Sequence, residues 1–241
     1  MTPQAIFSEE ALRFLRGLKR NNKREWFEAR RDIYERVVKT PMLALVERLS
    51  EGMADYAPSH IRPAGKILFR IYRDTRFSHD KSPYKTHLGA WWARAGMEKT
   101  SGGGYYMHIG ADEFVIAAGC YMPEKEQLLA IRRHLLEHHE EFRRLMDDRK
   151  LLRAFKVHDP MALSRPPKGF PADHPAMEWI KWRQWGVTAH LPAETALKRG
   201  LAQEIEKRFR LAAPLVDFLN APFAARRERP RLAWTGGRLH G

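Results

Sequence analysis

The first fifty residues carry hydrophobic side chains at the spacing of helices. Ser8, followed by two acidic residues, predicts the start of a first helix. Asn22 with Glu25 resembles a capping box and predicts the start of a second helix. Thr40 before Pro41 predicts a break and the start of a third. The predicted helices cover about residues 9–19, 22–39 and 40–54.

The middle of the chain changes to the two-residue alternation of β-strands. Ile67, Phe69 and Ile71 alternate with the residues between them, which predicts a strand over residues 66–73. Further strands are predicted over residues 87–94, 105–109 and 114–121. The last two are expected to form a hairpin that turns at residues 110–113.

Beyond Pro123 the chain returns to helical spacing. Leu128, Leu135 and Met146 recur on one face of a predicted helix that reaches about residue 148. Five prolines in the segment 158–175 predict an extended surface loop. The remaining predicted elements are a short helix (175–182), a late strand (185–191) and a helix (193–211). We therefore expect an α+β fold, in which N-terminal, central and C-terminal helices cover a mixed, largely antiparallel sheet.

The chain is long enough for one large domain. Hydrophobic residues make up 44% of its 241 residues, so we expect residues 1–223 to form a single domain with its own core. Lys and Arg outnumber Asp and Glu by 43 to 29, and the net charge of +14 favours anionic partners. Residues 224–241 contain five Arg against one Glu and are predicted to be a poorly ordered basic tail.

The composition also argues against several functions. The single cysteine, Cys120, excludes an intramolecular disulfide and a cysteine-rich zinc site, and it favours a reducing compartment. We therefore expect a cytoplasmic protein. Apolar runs are too short for a membrane span, and acidic residues near the N-terminus oppose a signal peptide. The sequence lacks the usual nucleotide and cofactor motifs, so we expect no cofactor.

Two patterns are weak signals for a metal. His134, Glu137 and His138 match the H-x-x-E-H arrangement of some zinc proteases. On a helical wheel Glu137 points away from the apolar face and the two histidines point only to its flank, so the three are not expected to converge. Asp74 and Asp80 are an alternative for Mg²⁺, but acids among so many cations are more often ion-paired. We expect no metal site.

The densest chemistry lies in residues 70–85, RIYRDTRFSHDKSPYK, here called the basic segment. Its arginines suit phosphate or carboxylate, and its rings suit a flat group, so together they favour an anionic ligand. A turn at Ser82-Pro83-Tyr84 is expected to bring Lys81 and Lys85 towards Arg70. The candidate ligand-binding residues are Arg70, Arg73, Asp74, Arg76, Lys81, Tyr84 and Lys85.

Asp74 separates two interpretations of the basic segment. It lies between Arg73 and Arg76 and is expected to be ionised and bonded to at least one of them. In a ligand site it orients the arginines. In the alternative, the charges of the segment only fasten a loop to the end of a strand.

Two further residues are weaker ligand-binding candidates. His108, with Tyr105 and Tyr106, lies opposite the small residues 117–119 of the predicted hairpin, which predicts a shallow slot. The alternative is ordinary aromatic packing on a sheet. Asn21, at a tight helix junction, offers an amide that can bind a ligand.

Five motifs in the chain resemble the family catalogued as domain of unknown function 2461. They are FLRGLKRNNKREWF at 14–27, FRIYRDTRFSHDKSPYKTH at 69–87, GGYYMHI at 103–109, AAGCYMP at 117–123 and RPPKGFPADHP at 165–175. The resemblance covers roughly residues 5–220. It implies a conserved domain without an assigned reaction, and it supplies no catalytic residues to transfer.

Three functions follow as hypotheses. The favoured one is a cytoplasmic domain that binds a phosphate-bearing or otherwise anionic small ligand, such as a nucleotide, at the basic segment. The second is non-specific nucleic-acid binding by the basic surface and the tail. The third is an interaction or structural module without a ligand. The sequence does not decide whether the protein is an enzyme, and it carries no signal for the oligomeric state.

Overall fold

The computed structural model describes residues 5–76, 78–97 and 102–224. Its N-terminal region is helical, as the hydrophobic spacing predicts. The helices are α1 (Glu9–Arg20), α2 (Arg24–Glu28), α3 (Arg31–Tyr34) and α4 (Thr40–Gly52). They are followed by two 3₁₀ turns, Met53–Asp55 and Pro58–His60, and by a short helix, α5 (Ala64–Ile67).

The break predicted at Thr40 and Pro41 is not formed. A π-helical turn, Glu35–Lys39, joins α3 to α4, and the backbone N–H of Thr40 donates to the carbonyl of Glu35. This wider turn precedes a proline that has no N–H to donate, and the helix continues through Pro41 without interruption.

The strand predicted over residues 66–73 is wrong. Its first residues belong to α5, and the others make only isolated bridges. Phe69 donates its backbone N–H to Gly89, whereas Ile71 accepts a hydrogen bond from Lys85. Because two different partners share the segment, no continuous ladder forms, and the segment runs extended beside the sheet.

Five strands form one sheet in the order β1-β2-β3-β5-β4. They are β1 (His87–Trp92), β2 (Gly104–Gly110), β3 (Glu113–Cys120), β4 (Lys156–Val157) and β5 (Trp185–Pro192). The β2–β3 hairpin and the late strand β5 form where the sequence predicts them. Neighbouring strands in the described residues all pair antiparallel, so the sheet is antiparallel rather than mixed. The α+β class is confirmed.

The remaining helices follow the hairpin and the late strand. They are α6 (Lys125–Glu137), α7 (His139–Met146), α8 (Arg149–Ala154), α9 (Met177–Ile180) and α10 (Leu201–Ala224), with a 3₁₀ turn at Ala193–Leu197. Within the described ranges, the helices are too short or too polar to cross a membrane. Apart from Ala224, the predicted basic tail lies outside the described residues.

The two faces of the sheet differ. Helix α10 packs across one face, against β3. On β2, Tyr105, Met107 and Ile109 point towards the helices and are fully buried. Tyr106 and His108 alternate with them and therefore point to the opposite face. Buried side chains of the N-terminal, central and C-terminal helices form one continuous core on the helical side. The opposite face carries the candidate site.

Candidate functional site

The face of the sheet opposite the helices forms a groove with a volume of about 390 Å³. Its floor is built by β3 and β5, where Ala117 pairs with Thr188 and Gly119 pairs with Gly186. All four of these residues are small. The floor is therefore low across two adjacent strands.

The two glycines are required at the lowest part of the floor. Gly119 has a φ of +136°, which residues with side chains rarely adopt, and a Cβ there would lie 2.3 Å from the carbonyl oxygen of Trp185. A Cβ at Gly186 would lie 2.9 Å from the carbonyl oxygen of Ala118. The slot predicted opposite residues 117–119 is confirmed, although Tyr105 belongs to the helical side.

Aromatic and imidazole rings stand around this floor. Those contributed by the β1 and β2 side are Phe69, Trp91, Tyr106 and His108, and those on the other side are Tyr121, His158 and His190. The ring centroids of Phe69 and Tyr106 are 6.4 Å apart, and those of Tyr121 and His158 are 5.8 Å apart. A mainly apolar, ring-lined cavity with a few polar groups is typical of a small-molecule site.

His108 makes two polar contacts in the wall of the groove. The hydroxyl of Tyr106 lies 3.0 Å from Nδ1 of His108, and Oε1 of Glu113 lies 3.6 Å from Nε2. The second oxygen of Glu113 lies 2.6 Å from Nδ1 of His190. Because a carboxylate can only accept, we assign the proton of neutral His108 to Nε2. Its Nδ1 then accepts from the hydroxyl of Tyr106.

Burial sets the charge of this cluster. Desolvation lowers the pKa of His108 to about 4, and the ring of His87, 4.5 Å away, adds repulsion. Burial also lowers the pKa of His87 and raises that of Tyr106. The hydrogen bond with His190 lowers the pKa of Glu113. At neutral pH a neutral His108 therefore lies beside an ionised Glu113.

Much of the basic segment is neutralised internally. Arg73 pairs with Asp80 rather than with Asp74. Asp74 instead pairs with Arg76 at 2.7 Å, and the hydrogen bonds from Arg76 lower the pKa of Asp74 to about 2. Lys81 donates to a backbone carbonyl of the same segment at 3.0 Å. The expected bond between Asp74 and an arginine is confirmed. In this part of the segment the charged side chains pair with one another, as expected if they fasten the loop.

Lys85 lies beside the groove. The Nζ atom of Lys85 is 5.1 Å from the ring centroid of Phe69, which lines the groove. Arg70 follows Phe69 in the chain and is exposed. Its charge contributes to the lowered pKa of Asp74. Phe69 therefore connects Lys85 to the groove by direct contact, whereas Arg70 is its neighbour only along the chain.

Two other residues predicted to bind a ligand instead make contacts that stabilise the fold. Tyr84 is 1% exposed, and its ring stacks on that of Phe27 with centroids 4.1 Å apart. Asn21 ends α1, where its side chain donates to the carbonyl of Gly17. Asn22, predicted to cap a helix, instead forms two hydrogen bonds with the backbone of Tyr84. Neither Tyr84 nor Asn21 lines the groove.

Sequence reasoning missed Glu113, His158 and His190 as members of the site. Alternation along β5 places Thr188 and His190 on one face, but it does not show which strand lies beside β5. The register, in which His190 pairs with Val115, brings His190 to the start of β3 and so to Glu113. That pairing joins residues far apart in the chain.

The described part of the chain contains no group of three or more His, Cys, Asp or Glu residues arranged to hold a metal ion. In the H-x-x-E-H pattern, the rings of His134 and His138 lie 4.3 Å apart, as expected for residues four apart on one side of a helix. Glu137 lies 3.9 Å from His138.

These features define a class: an α+β protein whose antiparallel sheet is covered by helices on one face and carries a ring-lined groove on the other. The chain belongs to the family described as conserved hypothetical protein (DUF2461), whose model matches residues 10–218. A search of curated proteins gave no significant match.

Proposed function

We propose that the groove binds a small molecule that combines a flat ring system with an anionic group. The observation that carries this proposal is the combination of a low floor and ring-lined walls in one cavity of about 390 Å³. This volume lies within the range of small-molecule sites, roughly 300–1,000 Å³. The domain acts, in this proposal, as a cytoplasmic ligand-binding protein, in keeping with its single cysteine.

The groove accounts for the flat part of the ligand. Small residues on two adjacent strands leave space between Tyr106 on one side and His190 on the other. A planar molecule placed over Ala117 and Gly119 can pack against these rings at low cost in side-chain entropy, because rigid ring walls are already in place.

The end of the groove accounts for the anionic part. We assign anion recognition to Lys85, because it contacts a ring that lines the groove, and to Arg70, which is exposed and follows that ring in the chain. Lys85 lies against Phe69 at the groove, and the net charge of +14 attracts anions to the protein from a distance. Charged hydrogen bonds to a phosphate or carboxylate are among the stronger polar contacts in proteins.

The ligand class is tested by a thermal-shift screen followed by calorimetry. Phenyl phosphate, benzoate and mononucleotides carry both features, whereas inorganic phosphate and benzyl alcohol each carry one. We expect compounds with both features to raise the melting temperature more than compounds with only one of them, which bind more weakly. Equal stabilisation by inorganic phosphate and phenyl phosphate would contradict a role for the groove.

Two variants locate the binding site. Lys85→Gln is expected to weaken binding about tenfold, in line with the loss of a charged hydrogen bond. Lys81→Gln is the matched control, since it removes the same charge from a side chain bonded within its own segment. Ala117→Phe fills the floor and is expected to abolish binding in a protein that still folds by circular dichroism. Unchanged affinity in both Lys85→Gln and Ala117→Phe would overturn the proposal.

A further inference from the structure

We propose that Tyr106, His108 and Glu113 form a proton relay in the wall of the groove, and that the domain removes a proton from its bound ligand. This inference rests on the proposed function, because it needs a ligand in the groove. It goes beyond binding, since it makes the domain an enzyme for proton transfer, such as an isomerisation or an elimination.

The order of the three groups in the relay follows from which of their atoms carry a proton and which can accept one. Glu113 is fixed on one side by His190, whose Nδ1 lies 2.6 Å from Oε2. Its other oxygen faces Nε2 of His108 at 3.6 Å, so that nitrogen carries the proton. The opposite nitrogen, Nδ1, is then an acceptor 3.0 Å from the hydroxyl of Tyr106. The resting arrangement therefore lets Tyr106 pass its proton to His108.

We assign the hydroxyl of Tyr106 as the member of the relay that meets the ligand. Tyr106 and His108 both line the groove, and Tyr106 is the less buried of the two. Gly89 of β1 leaves space for this hydroxyl, because a Cβ at Gly89 would lie 2.8 Å from it. While its proton is given to His108, the oxygen keeps lone pairs with which to accept a proton from the ligand.

The chemical step is balanced without a co-reactant. A C–H or O–H bond of the ligand breaks as the proton moves to the oxygen of Tyr106, and the O–H proton of Tyr106 moves to Nδ1 of His108. The ligand keeps the electron pair, and the imidazolium of His108 is stabilised by the carboxylate of Glu113. In an isomerisation the relay runs back and Tyr106 returns one proton to another atom of the ligand. In an elimination the electron pair of the broken bond forms a double bond in the ligand, the leaving group departs with the pair of the bond that held it, and His108 gives its proton to the leaving group or to water.

The surroundings limit which protons can be removed. His108 faces the imidazole of His87 on β1, the hydroxyl of Tyr106 on β2 and the carboxylate of Glu113 on β3, with Lys85 acting through His87. His190 on β5 acts through Glu113 and repels positive charge on His108. Because burial lowers the pKa of His108 to about 4, the base is weak, and the ligand must carry an acidified proton, such as one beside a carbonyl group.

A generic carbon acid tests this activity without knowledge of the natural ligand. 5-Nitrobenzisoxazole is flat and bicyclic. Removal of its one acidic C–H breaks the ring N–O bond and gives a coloured nitrophenolate, with no water or cofactor consumed. The full chain is expected to accelerate this reaction over buffer with saturation in the probe. The rate should rise with pH around the pKa of His108, about 4, and level off above about pH 5.

Four variants distinguish the relay from adventitious basic groups. His108→Gln and Tyr106→Phe are expected to lose about tenfold or more of the rate. Glu113→Gln should lower the rate and shift the pH profile, because the imidazolium loses its carboxylate. His138→Gln is the matched control, since His138 is an exposed histidine that does not line the groove, and its rate should be unchanged. Circular dichroism and melting temperature confirm the fold of each variant.

The outcomes separate this inference from the proposed function. Acceleration that is lost in His108→Gln and Tyr106→Phe but kept in His138→Gln supports the relay. Acceleration that survives in both relay variants overturns it. If the probe is not converted while phenyl phosphate still binds, the relay is wrong and the binding function stands. If neither conversion nor binding occurs, both proposals are wrong.

Discussion

The side-chain amide of Asn22 forms two hydrogen bonds with the backbone of Tyr84. Its Nδ2 donates to the Tyr84 carbonyl at 2.9 Å, and its Oδ1 accepts from the Tyr84 N–H at 3.0 Å. These bonds join the start of α2 to the end of the basic segment. Since Tyr84 precedes Lys85, the amide holds in place the backbone that presents a cation to the groove.

Replacing Asn22 with Ala is expected to lower the free energy of unfolding by about 1–3 kcal/mol, because the N–H and carbonyl of Tyr84 both lose their partner. Urea denaturation measures this change. Asn21→Ala is the matched control, since Asn21 makes a single hydrogen bond to a carbonyl of α1 at an exposed position. Equal losses for the two variants would contradict the special role of Asn22.

Tyr84 is expected to act as a core residue. The Tyr84 side chain is 1% exposed and its ring stacks on that of Phe27. We therefore expect Tyr84→Ala to lower the free energy of unfolding by about 3–5 kcal/mol, because packing is lost and a cavity forms. Tyr72, which is 39% exposed, is the control, and Tyr72→Ala should cost about 1 kcal/mol. Unfolding by guanidinium measures both. A loss for Tyr84→Ala as small as that for Tyr72→Ala would contradict the core role of Tyr84.

The local patterns of the sequence predict which segments form strands better than they predict which segments lie next to one another. Alternating residues and a turn signal suffice for the β2–β3 hairpin, because both of its strands are contiguous in sequence. The segment 66–73 has the same alternation but no single partner, and it therefore forms no strand. Periodicity shows which side chains share a face. It does not show what lies beside them.

The same limit applies to the candidate site. The sequence identifies His108 and the small residues opposite it, because they belong to one hairpin. It does not identify Glu113 and His190 as partners, because the pairing of β3 with β5 brings them together across a long separation. The charges of the basic segment are visible in the sequence. The pairing of Arg73 with Asp80 instead of Asp74 depends on how the loop folds back.

The basic tail offers a test of the nucleic-acid alternative. Residues 225–241 contribute a net charge of +4 of the total +14. Their deletion is expected to weaken binding to a DNA duplex and to flatten the dependence of log K on log salt by about 0.9 for each lost phosphate contact. Fluorescence anisotropy at several salt concentrations measures the slope. An unchanged slope would exclude the tail from nucleic-acid binding. Affinity for phenyl phosphate should stay the same, because the groove is built from other residues.

The last prediction concerns the pH dependence of stability. His108 has a pKa of about 4 in the folded protein, against an ordinary value of 6.5. Between these two pH values, His108 is protonated in the unfolded chain but neutral in the folded protein. The free energy of unfolding therefore falls as the pH falls from about 6.5 to about 4, by up to about 1.4 kcal/mol per pH unit for this one group. Above this window both states are neutral at His108, and below it both are protonated, so the contribution of His108 is then constant.

Urea denaturation of the parent protein and of His108→Gln between pH 4 and 8 isolates this contribution, because the other buried histidines remain in both proteins. The difference between the two curves should be flat above about pH 7 and should slope through the window, with the parent losing stability faster as the pH falls. His79→Gln removes an exposed histidine and is the matched control, whose curve should run parallel to that of the parent. Parallel curves for His108→Gln and the parent would show that His108 is protonated freely in the folded protein. The wall of the groove would then be open to water, and the neutral imidazole on which the relay depends would be lost.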